Sequence, residues 1–315
     1  RRDVADTLIA WHIDQGEIDA AEALLRARAD AAPRAETERG AAPDVVALIR
    51  FLRRERGAEA AAAELAARRS SAEEAAARLA YGRLEAALAH DEGQRAAAVA
   101  LLTALSTENT GQDAGQDAGQ DAGEDIAAGD ERRRAMIDLA RIERRAGRVE
   151  EAARLVAKVL EEDAGMVDAL ALRARARIEA DDPSGAITDL RDALAARPDD
   201  PGLLTLMAEA HARDGAHALA GERLALALDA ANGARSEALR YADYLIRDDR
   251  SGPAESVLTS ALRQAPEDLE LAAALGRVRV LQGDLGGAGE IVARLRAAGA
   301  EPLAVDLETR LLAAR

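Results

Sequence analysis

A fixed spacing of 34 residues runs through the second half of the chain and constrains its fold more than any other feature. Between Arg133 and Pro302, three kinds of position recur at this spacing: a glycine or aspartate, then an alanine, then a leucine or valine. The residues at these positions are Gly147, Asp181, Gly215, Asp249 and Gly283; Ala152, Ala186, Ala220, Ala254 and Ala288; and Val156, Leu190, Leu224, Leu258 and Val292. A period of this length predicts an array of small repeated units rather than one globular core.

The residue types at the recurring positions predict what each unit is. Glycine or aspartate suits the place where one helix ends and the next begins, with glycine at the helix end and aspartate near an N-cap. Alanine suits a crossing of two helices, and leucine or valine fills the space between them. Pro198 and Pro266, which share one phase, stop the second helix. Each unit is therefore predicted to be a helix, a tight turn and a second helix, stacked on its neighbours.

The 34-residue spacing, extended to the N-terminal half of the chain, predicts about eight repeated units and a terminal helix. The turn of unit 43–76 is assigned to Gly57 and its crossing alanine to Ala62. After the last unit, Leu303, Leu307 and Leu311 lie on one face of a helix that caps the array or begins another unit. The units run over 2–35, 43–76 and 78–110, with less regularity, and over 133–166, 167–200, 201–234, 235–268 and 269–302.

This pattern resembles the tetratricopeptide repeat, in which a small residue at the turn is followed by alanine, then an apolar residue, then proline. The resemblance implies an all-α fold: an α-solenoid, a right-handed superhelix of antiparallel helix pairs. Composition agrees, because Ala, Leu, Arg and Glu favour helices and only 2% of the residues are aromatic. The family's aromatic positions are mostly replaced by Leu, Met or Ala, so these repeats are divergent.

An acidic segment interrupts the periodic array. Residues 108–131 include the run GQDAGQDAGQDAGED, which has no basic residue and cannot bury apolar surface. We expect a flexible linker or loop there, between N-terminal divergent repeats over 1–107 and a regular array over 132–315; whether it separates two arrays or loops out of one stays open. Asp113, Asp117 and Asp121 recur every four residues, which does not fit an EF-hand, so we expect no metal site.

Charge and cysteine content limit the partners. The net charge of −16 predicts repulsion from nucleic acids and anionic lipids, and no apolar run is long enough to span a bilayer. The absence of cysteine excludes disulfides and thiolate metal sites. The chain begins Arg1-Arg2 without a methionine, so we expect a fragment of a longer protein whose compartment, periplasmic, envelope-associated or cytoplasmic, is open.

Motifs that carry catalysis are missing from the sequence. No HExxH occurs, and the only lysine, Lys158, does not follow the glycine-rich loop of a Walker A motif. The GDLGGAG run from Gly283 falls on a repeat turn with no strand before it, which does not fit a dinucleotide-binding loop. His211 is interpreted as a packing residue. We therefore expect no enzyme activity, no catalytic residue and no cofactor.

The resemblance implies that the first helices of the units line a concave groove that contacts ligands. Several in-phase positions there carry arginine, which forms paired hydrogen bonds to carboxylates. The candidate peptide-binding residues are Arg134, Arg141, Arg145, Arg175, Arg213, Arg240, Tyr244, Arg247 and Arg277, with Ile137 and Asp243 beside them. The alternative is that these arginines pair with Asp138, Glu143 or Asp243 and only solubilise the face.

Three functions follow, in order of preference. The first is a protein-interaction scaffold that binds a polypeptide segment in its groove, including a segment with acidic groups. The second is a structural spacer or self-association rod without a groove ligand, and the third is a fragment of a helical-solenoid enzyme. The low-lysine, Ala/Arg-rich sequence also resembles long bacterial repeat proteins of envelope and exopolysaccharide systems, including those linked with PEP-CTERM sorting.

Overall fold

The described residues of the computed structural model, 2–31, 43–108 and 122–314, form seventeen α-helices and no strand. The chain divides into two compact units, Arg1–Ala164 and Gly165–Arg315. Within each unit, consecutive helices pair into antiparallel hairpins, and each hairpin packs on the next. An all-α solenoid, as predicted, is therefore confirmed.

Unit 1 contains four hairpins. In each, the odd-numbered helix is the first helix and the even-numbered helix is the second. The helices are α1 (Arg2–Asp14), α2 (Ile18–Asp30), α3 (Pro43–Glu55), α4 (Ala58–Ser71), α5 (Ala75–Asp91), α6 (Arg95–Thr107), α7 (Ala122–Arg145) and α8 (Val149–Glu162).

Unit 2 contains four hairpins and a terminal helix, and the same numbering holds. The helices are α9 (Val167–Glu179), α10 (Pro183–Ala196), α11 (Pro201–Arg213), α12 (His217–Ala230), α13 (Arg235–Arg247), α14 (Ser251–Gln264), α15 (Leu269–Gln282), α16 (Leu285–Ala297) and α17 (Glu301–Ala313).

Each hairpin turn contains one residue with a left-handed backbone, and in the regular array these are the residues of the 34-residue phase. Gly147, Gly215 and Gly283 have φ values of 79°, 78° and 79°. Asp181 and Asp249 take the same position with φ of 60° and 55°. As expected, these aspartates lie near an N-cap, since Asp181 directly precedes the N-cap residue Asp182 and Asp249 directly precedes the N-cap residue Arg250. They also replace glycine in the turn, because aspartate tolerates this conformation better than most residues.

In two hairpins an aspartate side chain caps the N-terminus of the second helix. Asp182 accepts a hydrogen bond from the Gly185 amide at 2.9 Å, and Asp284 accepts one from the Gly287 amide at 2.9 Å. An N-cap oxygen satisfies an amide that has no partner within the helix. The residue that follows the left-handed turn residue therefore starts the second helix in these two hairpins.

The alanine and leucine positions form the core as predicted. Every recurring alanine from Ala152 to Ala288 is at most 5% exposed, and every recurring leucine or valine is at most 8% exposed. In hairpin α3/α4 the assignment was wrong by one residue, because Ala61 is fully buried while Ala62 is only half-buried. Gly57 is both the left-handed residue and the N-cap there, so that turn is one residue shorter.

The third hairpin begins earlier in the sequence than the repeat that was predicted over residues 78–110. Helix α5 starts at Ala75 rather than at residue 78 and is 17 residues long. Its turn residue Gly93, with φ of 77°, and the buried Leu102 are in the predicted phase. Further along the chain, Leu307 and Leu311 of α17 are buried, and Leu307 and the half-buried Leu303 pack in the core that contains α15 and α16. Whether α17 caps the array or begins another unit stays open.

The predicted linker is partly helical. Residues 122–131 form the first part of α7, while 109–121 lie outside the described residues, so the predicted division at this segment stays a prediction. Helix α7 packs against both α5 and α6, and Leu79, Leu105 and Leu139 share one core cluster. The helices on the two sides of the segment thus belong to one stack of hairpins.

The left-handed turn predicts opposite effects for two glycine substitutions. Gly215→Ala should destabilise the protein by about 1 kcal/mol, because alanine is strained at this φ. No other atom lies within 4 Å of the added methyl group, so strain alone is tested. Gly252→Ala is the control, since it adds a methyl to open space on helix α14 and should be neutral or slightly stabilising. Urea unfolding measures both, and equal midpoints would contradict the assignment.

Candidate functional site

A cleft of about 460 Å³ opens in unit 1 on the side formed by the first helices. Helices α3, α5 and α7 supply nearly all of its lining, because the stacking of hairpins places successive first helices side by side. The lining residues are Val46, Ala80, Arg83, Leu84, Ala87, His90, Asp91, Leu102, Asp138, Arg141, Ile142 and Arg145. Alanine and leucine thus form the walls, and most of the charged groups come from α5 and α7.

Arg83 is the centre of an ion-pair network in this cleft. Its Nη1 lies 2.7 Å from Oε2 of Glu131, whose side chain is fully buried. Its Nε donates to Oδ2 of Asp138 at 2.9 Å. Both carboxylates belong to α7, so this guanidinium group ties α5 to α7.

Two further arginines extend the network along α7. Arg141 Nη1 donates to Oδ1 of Asp138 at 3.1 Å, so Asp138 is shared between Arg83 and Arg141. Arg134 forms an ion pair with the other oxygen of Glu131. Within this network, three guanidinium groups therefore share two carboxylates.

The surroundings of Arg83 determine its protonation. Burial lowers the pKa of Arg83, but the charges of Asp138 and Glu131 and their hydrogen bonds raise it further, and the net shift is upward. The group therefore keeps its positive charge at any physiological pH. A fixed, paired charge of this kind holds the floor of the cleft in one geometry.

Three titratable residues that line the cleft lie outside this network: Arg145, His90 and Asp91, the last of which pairs with Arg53 at 2.8 Å. The side chain of Arg145 is exposed, one helical turn beyond Arg141. His90 Nδ1 is buried and has no hydrogen-bond partner among the residues that the structure describes. The cleft can thus offer the guanidinium group of Arg145 to a bound group that accepts hydrogen bonds.

Unit 2 has a comparable cleft on its own first helices. It measures about 430 Å³ and is lined by α13, α15 and α17. The lining residues are Asp243, Ile246, Arg277, Val280, Leu281, Arg310, Ala313 and Ala314. Its floor is apolar, and Asp243, Arg277 and Arg310 supply mixed charge.

Arg134 lies in the ion-pair network around Glu131, and seven other predicted site residues form three groups. Arg141 and Arg145 lie together in the unit 1 cleft, and Arg277 lies in the unit 2 cleft. Four others are exposed on their first helices outside these clefts. These are Arg175, Arg213, Arg240 and Arg247, and of them Arg213 donates to the Ile178 carbonyl at 3.3 Å.

Tyr244 and Ile137 have packing contacts instead. The Tyr244 hydroxyl donates to the main-chain carbonyl of His217 on α12, and its ring lies against Gly221. Burial, followed by the charge of Asp248, raises the pKa of Tyr244, so the phenol stays protonated and keeps this hydrogen bond. Ile137 is 1% exposed and belongs to the core of unit 1.

A second buried ion cluster escaped sequence reasoning. Asp189 on α10 is 2% exposed and accepts from Arg173 Nη2 at 2.7 Å and Nε at 3.0 Å. Arg177 Nη1 lies 2.9 Å from the same carboxylate. The signal was present, because Asp189 occupies a phase that is apolar in three other repeats, where Leu155, Val257 and Ile291 stand. A charged residue in an apolar phase predicts a partner across the hairpin.

The described residues contain no group of three or more His, Asp or Glu side chains positioned to hold a metal ion. None of the described helices combines the length and the apolar character needed to cross a bilayer.

No protein-family model matches the sequence, and no curated protein sequence is significantly similar to it. Solved structures do match. PilW, described as a widely conserved type IV pilus biogenesis factor, aligns with a TM-score of 0.53 and 13% identity, over 69% of this chain and 91% of its own. This chain has the fold of a tetratricopeptide-type α-solenoid.

Two further solved structures of tetratricopeptide repeat proteins align with lower scores than PilW. A tetratricopeptide repeat protein from Parabacteroides merdae ATCC 43184 aligns with a TM-score of 0.48 and 15% identity, over 76% of this chain and 90% of its own. TTC0263, a thermophilic TPR protein of Thermus thermophilus, aligns with a TM-score of 0.41 and 22% identity, over 58% of this chain and 98% of its own. At these identities the likeness concerns the fold alone.

The Arg83 network predicts a large effect on stability. Glu131→Gln should lower the free energy of unfolding by about 3 kcal/mol, because it removes one charge of a buried pair and leaves the other. The control is Glu151→Gln, since Glu151 pairs with Arg154 at 3.1 Å on an exposed face and should change stability by less than about 1 kcal/mol. Chemical denaturation of both variants measures the difference, and similar losses would contradict a structural role for the network.

The burial of His211 predicts that the stability of the protein depends on pH. Its side chain is 6% exposed, Nδ1 has no hydrogen-bond partner within the described ranges, and the same phase of the next repeat carries the fully buried Leu245. Burial, followed by the charges of Arg223 and Arg191, lowers the pKa of His211 below its ordinary value of 6.5, and Asp214 opposes this. Below pH 6.5 the unfolded chain therefore binds a proton that the folded chain does not, and wild-type stability falls.

The test compares the wild type with His211→Leu at about pH 7.5 and about pH 5.5. The stability advantage of the leucine variant should grow on acidification, because leucine has no proton to bind. An advantage that is the same at both pH values would contradict a neutral, buried His211. Other titrating groups affect both proteins alike and cancel in the difference.

Proposed function

We propose that this chain is a non-catalytic protein-interaction scaffold, and that the unit 1 cleft binds a polypeptide segment with acidic side chains. The observation that carries the proposal is the position of Arg141 and Arg145 on one turn of α7, facing a cleft whose anchoring carboxylate, Asp138, is already shared by two arginines. Arginine pairs with carboxylates through two parallel hydrogen bonds, which gives both energy and orientation.

The shape and walls of the cleft also support a polypeptide ligand. A volume of about 460 Å³ is open on one side and has room for a few side chains. Leu84 and Ala87 offer apolar contact, while the charged groups lie on both α5 and α7. Extended concave surfaces of this kind are how stacked repeat proteins bind their partners.

The proposal is tested with a labelled decapeptide that contains glutamate at several positions and with its glutamine counterpart. The double variant Arg141→Ala/Arg145→Ala should weaken binding of the glutamate peptide at least about tenfold, because two charge-assisted contacts are lost. The control is Arg154→Ala, whose side chain is 72% exposed on the second helix α8. Fluorescence anisotropy gives the affinities and circular dichroism checks that the variants stay folded.

Global charge makes this test stringent. With a net charge of −16, the chain as a whole repels an acidic peptide, so binding must come from local contacts in the cleft. Equal affinity of the two peptides, or equal loss in the Arg154→Ala control, would overturn the proposal. A spacer without a groove ligand would bind neither peptide, so the same experiment separates the two functions.

Two finer predictions stay with this proposal. One is self-association, which the comparisons with solved structures leave untested. The other is the resemblance to bacterial envelope and exopolysaccharide repeat proteins, including the PEP-CTERM link. Nothing in the cleft depends on either.

A further inference from the structure

An arginine and a histidine lie in the packed part of hairpin α11/α12 with polar atoms that have no partner. His211 is 6% exposed, and its Nδ1 has no hydrogen-bond partner among the residues that the structure describes. Arg223 is half-buried, and its Nε is likewise buried and without a partner in that part of the chain. Buried nitrogen atoms without a partner are rare in folded proteins, and they point to a bound water or ion.

The preceding hairpin, α9/α10, shows how a charged cluster at this level of a repeat is balanced. Asp189 stands eight residues after the turn residue Asp181, and Arg173 stands eight residues before it. Arg173 donates two hydrogen bonds to the Asp189 carboxylate, and Arg177, four residues before the turn, pairs with the same group. One internal anion therefore balances two cations.

The same three positions of hairpin α11/α12 lack that anion. Counted from the turn residue Gly215, Arg223 stands at the place of Asp189. The two places before the turn that carry arginine in the preceding hairpin carry His211 and the buried Met207 here. No carboxylate in the described ranges forms an ion pair with Arg223 or His211. A cation has thus replaced the anion, and nothing within the described chain balances it.

A second arginine, Arg191 on α10, adds to the positive charge of this cluster. Burial and then the charges of Arg223 and Arg191 lower the pKa of His211, so both guanidinium groups act on the ring. Asp214, at the end of α11, opposes them but forms no ion pair with the ring. Because the net charge of the chain is −16, a group of unbalanced cations is a local feature that attracts anions.

We propose that Arg191, Arg223 and His211 form a binding site for a small oxyanion, a carboxylate or a phosphate, which supplies from outside the charge that the preceding hairpin supplies from its own chain. A guanidinium group donates parallel hydrogen bonds to such an anion. Arg191 is exposed and Arg223 is half-buried, so the anion approaches between α10 and α12 and lies over the His211 ring. The site shares no residue with the unit 1 cleft, so either proposal can fail alone.

The test uses the imidazole resonance of His211, one of four histidines, as its reporter. Proton–carbon NMR of the full chain follows this resonance while sodium phosphate or sodium acetate is added at a constant pH of about 7. His211→Leu identifies the resonance by its loss. Binding should shift it in a saturable manner, whereas sodium chloride at equal ionic strength, the control for screening, should not. The relative affinities of acetate and phosphate decide which oxyanion the site prefers.

Matched variants locate the binding site. Arg223→Leu introduces the residue type that Leu155 has at this position of another hairpin, so the variant should fold, and it should weaken binding at least about tenfold. Arg223→Asp places a carboxylate at this position, as Asp189 does in the preceding hairpin, and should abolish the response. The control is Arg263→Leu, which removes an exposed arginine of α14 and should leave the affinity unchanged. Circular dichroism checks that each variant is folded.

The proposal fails on any of three results. The first is a His211 resonance that shows no saturable shift with either phosphate or acetate, which would assign the unpartnered nitrogen atoms to bound water. The second is equal affinity of the wild type and Arg223→Leu. The third is an equal loss of affinity in Arg263→Leu, which would mean that the response reports the total charge of the chain rather than a site.

Discussion

The close approach of two helices at an alanine is the contact on which this structure depends. One alanine per regular repeat is at most 5% exposed, and a leucine or valine one turn later fills the adjoining space. The approach is feasible because the preceding turn reverses the chain within a few residues, through a single left-handed residue. With so few aromatic residues, the core relies on small side chains and short distances rather than on large rings.

The polar side chains of the interior have a different task. Arg83, Glu131 and Asp138 connect α5 to α7, and Asp189 connects α10 to α9 through two arginines. Apolar packing of alanine and leucine is tolerant of small shifts between helices, whereas paired charges have a defined geometry. The charged clusters thus set the relative position of the helices, and in unit 1 this also sets the position of the cleft.

Sequence reasoning located the turns, the alanines and the leucines of the regular array, because each is a local requirement repeated at fixed spacing. It placed Ala62 rather than Ala61 in the core, since the turn at Gly57 is one residue shorter and this cannot be read from a period. It identified Arg141 and Arg145 as candidate groove residues from their position within the repeat. It missed Arg83 and Glu131, which are 48 residues apart in sequence and meet only because of how α5 packs on α7.

The core shared by α6 and α7 has a consequence for evolution. Helix α6 ends at Thr107 and α7 begins at Ala122, and both are anchored by the core that they share. The entropic cost of joining two fixed ends grows only slowly with the number of residues in the connection. Duplication or deletion of a four-residue GQDA unit can therefore change the length of this region at little cost to the stability of the fold, so related genes are free to differ in length here.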